Sequence, residues 1–172
     1  LANQSEMIDS FVRLDEDECA CLLYTSGTTG APKGVMTSHR SMIANSTLSM
    51  LQGAAVSQDS SSKGIDWAKH KPVSLLTSPL FHVSGLSAGV VTSLFAGSTT
   101  LVYAGKFSAH KILELIDQFN VTSWGGAVPT ALKRVLDAAN ETNISLPSVL
   151  VVGGGGAPMP PALIERTKEV FP

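Results

Sequence analysis

The run Tyr24-Thr25-Ser26-Gly27-Thr28-Thr29-Gly30-Ala31-Pro32-Lys33-Gly34 packs glycines, hydroxyls and one lysine into a single short turn. Glycine reaches backbone conformations closed to other residues and lets amide groups crowd an anion. Ser26, Thr28 and Thr29 add hydroxyl donors, and Lys33 adds a mobile positive charge. A loop kept only for flexibility needs neither the hydroxyls nor the lysine. The chemistry is that of a phosphate cradle, with a strand leading in and a helix expected to follow.

The cradle is not the P-loop of NTPases and kinases, which needs Gly-Lys-Ser/Thr after four intervening residues. Here Pro32 precedes Lys33 and Gly34 follows it, so no hydroxyl is placed to hold Mg²⁺ in that manner. Three other segments bring residues that could face a ligand. Pro79-Leu80-Phe81-His82-Val83-Ser84-Gly85 carries a histidine in an apolar and small-residue setting; a lone histidine is equally at home as a satisfied core residue. Trp124-Gly125-Gly126-Ala127-Val128-Pro129-Thr130 reads both as a tight turn opening a helix and as the floor of a pocket. Val151-Val152-Gly153-Gly154-Gly155-Gly156-Ala157-Pro158-Met159 holds four glycines where a strand-to-helix turn needs one. Bare backbone of that kind lets a flat ring lie against it.

The loop resembles, nearly residue for residue, the signature loop of the adenylate-forming superfamily. That group spans acyl-CoA synthetases, aryl-CoA ligases, luciferases and the adenylation domains of peptide synthetases. The likeness runs on through Val35 to Ser38-His39, and the other three segments fall in that family's order and approximate spacing. The resemblance implies that Thr25, Ser26, Gly27, Thr28, Thr29, Gly30 and Lys33 hold the β- and γ-phosphates of ATP. It implies that His82 lies beside the carboxylate and acyl pocket, with Lys33 as its catalytic companion. Gly154, Gly155, Gly156, Ala157 and Pro158 are then expected along the adenine and the acyl chain. The implied reaction joins a carboxylic acid to AMP and then to CoA, using ATP, Mg²⁺ and CoA.

Within the family, an acyl-CoA ligase of fatty or other hydrophobic acids is expected over an amino-acid or aryl-acid adenylation domain. A noncatalytic nucleotide-binding module and a conventional NTPase or kinase are the rival readings. The resemblance covers the chain from about Asp15 onward, as one piece, residues 1–172, of the large N-terminal AMP-binding domain. The family's Thr-Glu pair for Mg²⁺, its ribose carboxylate and its C-terminal lysine have no match here. Lys168, the last lysine, lacks the Gly-rich hinge setting. The isolated chain is therefore expected to be inactive, and no metal ligands are assigned.

Strands alternate with helices along the chain, which predicts an α/β fold: a mostly parallel sheet with flanking helices. Strands are expected at Ala20–Thr25, Val73–Thr77, Thr99–Tyr103, Val121–Trp124 and Val149–Val152. Helices are expected at His39–Gln52, Val83–Phe95, after an N-cap at Ser108, at Pro129–Ala139 and from Pro160-Pro161 onward. Ser57–Lys71, polar and with Trp67 alone, reads as a mobile surface connection.

Of 172 residues, 44% are hydrophobic and only 15% charged, which argues against disorder and for strands buried on two faces. The net charge of −2 gives no footprint for nucleic acid or an anionic membrane; the partners expected are small molecules. Pro72 to Gly105 lacks any Lys, Arg, Asp or Glu, a length that could span a bilayer. Pro79 and the flanking Ser, Thr and Gly break it into strand, turn, helix and strand, so no transmembrane segment is expected. Cys19 and Cys21 are too close for an unstrained disulfide and too few for a metal, so two buried reduced thiols in a cytoplasmic protein are expected. Five N-x-S/T triplets, opening at Asn3, Asn45, Asn120, Asn140 and Asn143, read as chance matches.

Overall fold

In the computed structural model, residues 12–27, 30–62 and 71–171 are described. They form two compact units, Leu1–Ala44 and Asn45–Pro172. In the first, β1 (Cys19–Thr25) and β2 (Lys33–Ser38) pair antiparallel, with Thr25 opposite Lys33 and Leu23 opposite Val35. The expected strand into the cradle is therefore present, and a second strand, not among those expected, follows the loop before the helix. Val35 and Thr37 are β-branched and suit a pleated ladder. The helix α1 (His39–Ser62) starts only after that ladder ends. It runs beyond the expected Gln52, so residues 57–62 of the supposed connection are helical. Residues 63–70, including Trp67, lie outside the described part.

The second unit is built on β3 (Val73–Leu76), β4 (Thr99–Val102), β5 (Ser123–Ala127) and β6 (Val151–Gly154). These form a parallel sheet in the order β4-β3-β5-β6. Val73 and Leu75 point into the main core with Trp124, while Ser74 on the other face meets Ser123, hydroxyl to hydroxyl at 2.8 Å. β5 and β6 each begin two residues later than expected: the Val121 amide goes back to Ile116 in the preceding helix, and the Val149 amide to Leu146. Thr122 Oγ1 takes a bond from the Val73 amide at 3.0 Å.

The connections after β3 and after β4 lead in opposite directions along the sheet. With right-handed crossovers this places their helices on opposite faces. One face carries α4 (Ala109–Phe119) and α5 (Pro129–Thr142), whose Ile112, Ile116, Val135 and Leu136 are fully buried. Each such side chain contributes about 1.5–3 kcal/mol of apolar burial. α4 opens on Ser108, whose hydroxyl accepts from the Lys111 amide, and closes on Asn120 in the left-handed region at φ 48°. α5 runs to Thr142, three residues past its expected end, and closes likewise on Asn143 at φ 55°. α6 (Pro161–Val170) starts where the proline pair predicts.

The expected helix Val83–Phe95 is not uniform. A short α2 (Val83–Gly85) and α3 (Thr92–Phe95) flank a π-helical run, Leu86–Val91. The Thr92 hydroxyl donates to the Ser87 carbonyl five residues back, at 3.0 Å, and sits 3.3 Å from the buried Ser46 hydroxyl of α1. Asn45 donates to the Ser87 hydroxyl. These side chains hold the wider helical register from both ends. The two cysteines are free as expected, but not both buried. A bulge separates them, leaving Cys19 exposed and Cys21 half-buried.

Candidate functional site

The hairpin loop of the first unit carries the cradle residues. Gly27 and Gly30 take positive φ, 65° and 89°, so the turn uses the freedom only glycine has without strain. A Cβ on Gly27 would strike the Ala31 carbonyl. Thr25 hands its hydroxyl to the Lys33 carbonyl at 3.4 Å, which closes the loop at its base. Ser26, Gly30 and Lys33 are exposed, and the Lys33 ammonium has no ion pair among the described residues. Thr28 and Thr29 lie outside the described residues. The loop is followed by β2, not directly by a helix. Its capacity for an anion comes from amides, hydroxyls and the lysine.

In the second unit the remaining candidates gather at the carboxyl ends of the parallel strands. Between β3 and β5 the chain reverses its direction of travel along the sheet, and open α/β sheets bind ligands at such a switch point. Here β3 runs out through Thr77 and Ser78 into the Pro79–Gly85 turn. Trp124, wholly buried, donates its indole N–H to Thr77 at 3.0 Å, and Ser78 reaches the Gly126 carbonyl. Gly126 has φ 72°, and a Cβ there would meet the Ser78 hydroxyl. The two chain ends are thus stitched to each other by side chains of Thr77, Ser78 and Trp124.

His82 is exposed, not a core residue. It caps α2 with its own ring: Nδ1 accepts from the Ser84 amide at 3.2 Å and lies 2.8 Å from the Ser84 hydroxyl. The turn around it is stiff. The His82 amide donates to Pro79, and its carbonyl accepts from Gly85 and Leu86. Leu80, Phe81 and Val83 beside it are exposed, Phe81 by 81%.

Beside Ser84 opens a cavity of about 160 Å³, lined also by Leu76, Ala88, Gly89, Gly126 and Gly153. A wider cleft of about 530 Å³ adjoins it, sharing Ser74, Ala88, Ser93, Ser123 and Val151, and reaches Met50 and Val56 of α1. Its surface is mostly apolar. Gly154 closes the end of β6 in a tight place, since a Cβ would displace the Met159 methyl at 2.5 Å and stand 3.2 Å from the Ala127 carbonyl. Gly155, Gly156, Ala157 and Pro158 form the exposed turn beyond it, with Gly156 at φ 80°.

The structure therefore brings His82, the Gly125-Gly126 turn and the Gly153–Pro158 turn to one edge of one sheet. The cradle residues belong to the other unit. Ser84, Thr77 and Ser78 were not singled out by the sequence. Ser84 was legible in principle, as the residue two beyond an N-cap side chain that can accept. Among the described residues no group of three His, Cys, Asp or Glu could hold a metal ion, and no helix is long and apolar enough to cross a membrane.

Comparison with known proteins adds three similarities and a family. The family described as "AMP-binding enzyme" matches residues 2–172. The probable CoA ligase CCL5 of Humulus lupulus is 36% identical over 162 residues, 93% of this chain and 27% of that protein. The inhibitor-bound N-terminal domain of FACL13 from Mycobacterium tuberculosis superposes with a TM-score of 0.72 at 31% identity, over 93% of this chain and 36% of that one. The O-succinylbenzoate coenzyme A synthetase (MenE) of Bacillus subtilis, solved with ATP and magnesium ion, gives 0.65 at 34% identity, over 92% of this chain and 30% of that one. The chain spans 27% of the length of the curated relative, and about a third of each of these solved chains.

Proposed function

The chain belongs to the AMP-binding enzyme family, and on that premise we propose that this protein activates a hydrophobic carboxylic acid with ATP and passes it to CoA. In the first step a carboxylate oxygen attacks the α-phosphorus, the bond to the bridging oxygen breaks, and pyrophosphate leaves. In the second the CoA thiol sulfur attacks the acyl carbonyl, AMP leaves with the C–O electron pair, and the thiol proton goes to solvent. The residues 1–172 are read as part of the large N-terminal domain of such an enzyme. Alone they supply a phosphate loop and one wall of a cleft, less than the reaction needs, so the chain by itself is expected to make no acyl-CoA.

One observation carries the reading: the exposed His82 caps Ser84 with its ring, and Ser84 lines a cavity at the switch point of a parallel sheet. The acyl chain is assigned to the apolar cleft adjoining that cavity, and the carboxylate to the neighbourhood of His82. The loop from Thr25 to Lys33 is assigned to the β- and γ-phosphates, where amides, hydroxyls and one ammonium meet the charge that grows on departing pyrophosphate. Thr28 and Thr29 share that assignment on sequence alone. Gly154, Gly155, Gly156, Ala157 and Pro158 are assigned to the adenine side.

ATP with magnesium ion is bound by the B. subtilis relative. The described residues offer no protein cluster for the metal, so Mg²⁺ is read as arriving on the phosphate oxygens of the nucleotide. CoA is assigned as co-substrate, and the free thiols of Cys19 and Cys21 suit a cytoplasmic setting. The preferred acid is fatty, because the cleft is mostly apolar. An aryl acid is the second reading, favoured by the substrate named for the B. subtilis relative.

The test is the full-length protein with ATP, Mg²⁺, CoA and a panel of fatty and aryl acids, scored for AMP, pyrophosphate and thioester. Lys33→Ala is expected to slow pyrophosphate release by roughly 100-fold, about 3 kcal/mol, with acid binding little changed. ADP and phosphate as products, or an unchanged rate in the variant, would refute the assignment.

A further inference from the structure

The ring of His82 is held by atoms that settle where its proton sits. A backbone N–H can only donate, and the Ser84 amide points at Nδ1 from 3.2 Å. Nδ1 must therefore present its lone pair, and the Ser84 hydroxyl at 2.8 Å donates to the same nitrogen. A neutral imidazole with Nδ1 bare carries its proton on Nε2. That nitrogen makes no hydrogen bond among the described residues, and the side chain is exposed.

The mount is independent of the ring contacts. The Gly85 and Leu86 amides bond back to the His82 carbonyl at 3.0 and 2.9 Å, and the His82 amide bonds to Pro79 at 3.1 Å. Gly85 lies so close to Pro79 that a Cβ would stand 2.6 Å from its carbonyl carbon. Ser84 also lines the 160 Å³ cavity, so one residue fixes the ring and borders the space beside it.

We infer that His82 meets its ligand as a neutral imidazole donating Nε2–H to an anionic oxygen, and that Ser84 is the positioning residue imposing this tautomer. A base would need the opposite arrangement, with a lone pair on the outward nitrogen. A carboxylic acid is already ionised at neutral pH, so its attack on phosphorus requires no base. A donor instead neutralises oxygen charge without taking a proton. The tautomer stands on geometry alone; only the identity of the anion rests on the acid-activation reading.

The experiment is ¹⁵N imidazole spectroscopy on the chain with labelled histidine, His82 assigned by loss of its signals in His82→Gln. The parent is expected to show bare Nδ1 and protonated Nε2. Ser84→Asp puts an acceptor beside Nδ1 and is expected to move the proton onto Nδ1. Ser84→Ala keeps only the amide donor and should lower the Nε2–H fraction, while Ser84→Thr restores it. Circular dichroism equal to the parent's confirms that each variant keeps its fold. A proton on Nδ1 in the parent overturns the inference, and so does a tautomer indifferent to both Ser84→Asp and Ser84→Ala. Titration with decanoate, a fatty carboxylate, is then expected to shift Nε2 while leaving Nδ1 in place. Failure of that response alone, with the tautomer as stated, counts against the acid-activation reading and not against the role of Ser84.

Discussion

Gly85→Ala and Gly53→Ala make the same chemical change on two helical glycines, and the structure assigns them opposite signs. Gly85 has φ −78°, which alanine adopts freely, so no backbone strain enters. Space is the whole issue. A Cβ at Gly85 would stand 2.6 Å from the Pro79 carbonyl carbon and 2.9 Å from the Ser78 carbonyl oxygen. Those are backbone atoms, tied by the His82–Pro79 bond and by Ser78 to Gly126; they cannot swing aside as a side chain does. Overpacking of this kind costs about 1–3 kcal/mol. In a chain of this size that lowers Tm by roughly 2–12 °C. At Gly53 in α1 nothing lies within 4 Å of the added methyl. There alanine is expected to gain about 0.4–1 kcal/mol by narrowing the unfolded ensemble and suiting the helix. Thermal and urea unfolding of the two variants beside the parent gives the answer. The Gly85→Ala shift should come with altered His82 ring resonances, since the turn that carries the ring must move. A Gly85→Ala protein as stable as Gly53→Ala would refute the reasoning, because it would mean the Pro79 turn yields at no cost.

Three further outcomes are expected. His82→Ala in the full-length protein should impair use of the acid while leaving ATP affinity nearly unchanged, read from separate KM and kcat values; equal loss toward both substrates would place His82 elsewhere. Asn120→Ala should destabilise by about 1–2 kcal/mol because alanine resists φ 48°, whereas Asn120→Gly should be neutral or better, measured by urea unfolding. Lys133 and then Arg166 hold the Asp137 carboxyl below its ordinary range, tying α5 to α6. That stability is present above the ordinary carboxylate pKa and is lost as pH falls through the lowered one. Asp137→Asn should therefore be less stable than the parent near neutrality and should converge with it in acid; a gap that persists at the lowest pH would be packing, not charge.

Much of the molecule is legible along the chain, because the signals are local. Ser108, Asn120 and the Pro160-Pro161 pair mark helix ends by their own hydrogen-bonding and torsional preferences. The apolar runs at Val73–Leu76 and Val151–Val152 mark strands, the first largely buried and the second half-buried. The proposal of a phosphate site in the loop from Thr25 to Lys33 rests on residue type alone. What the chain could not state is what depends on a partner distant in sequence. β2 exists because Lys33–Ser38 finds Cys19–Thr25 to pair with, and its own residues assign the segment no element. The π-helical register of Leu86–Val91 depends on Thr92, Ser87 and, from forty-odd residues away, Asn45 and Ser46. The site at the sheet edge is of the same kind. His82, Gly126 and Gly154 are brought to one edge by strand order β4-β3-β5-β6, and strand order is written in the packing of helices on two faces, not in any segment by itself. Residue types determine which chemistry is available; the crossovers of the sheet decide which of those residues meet.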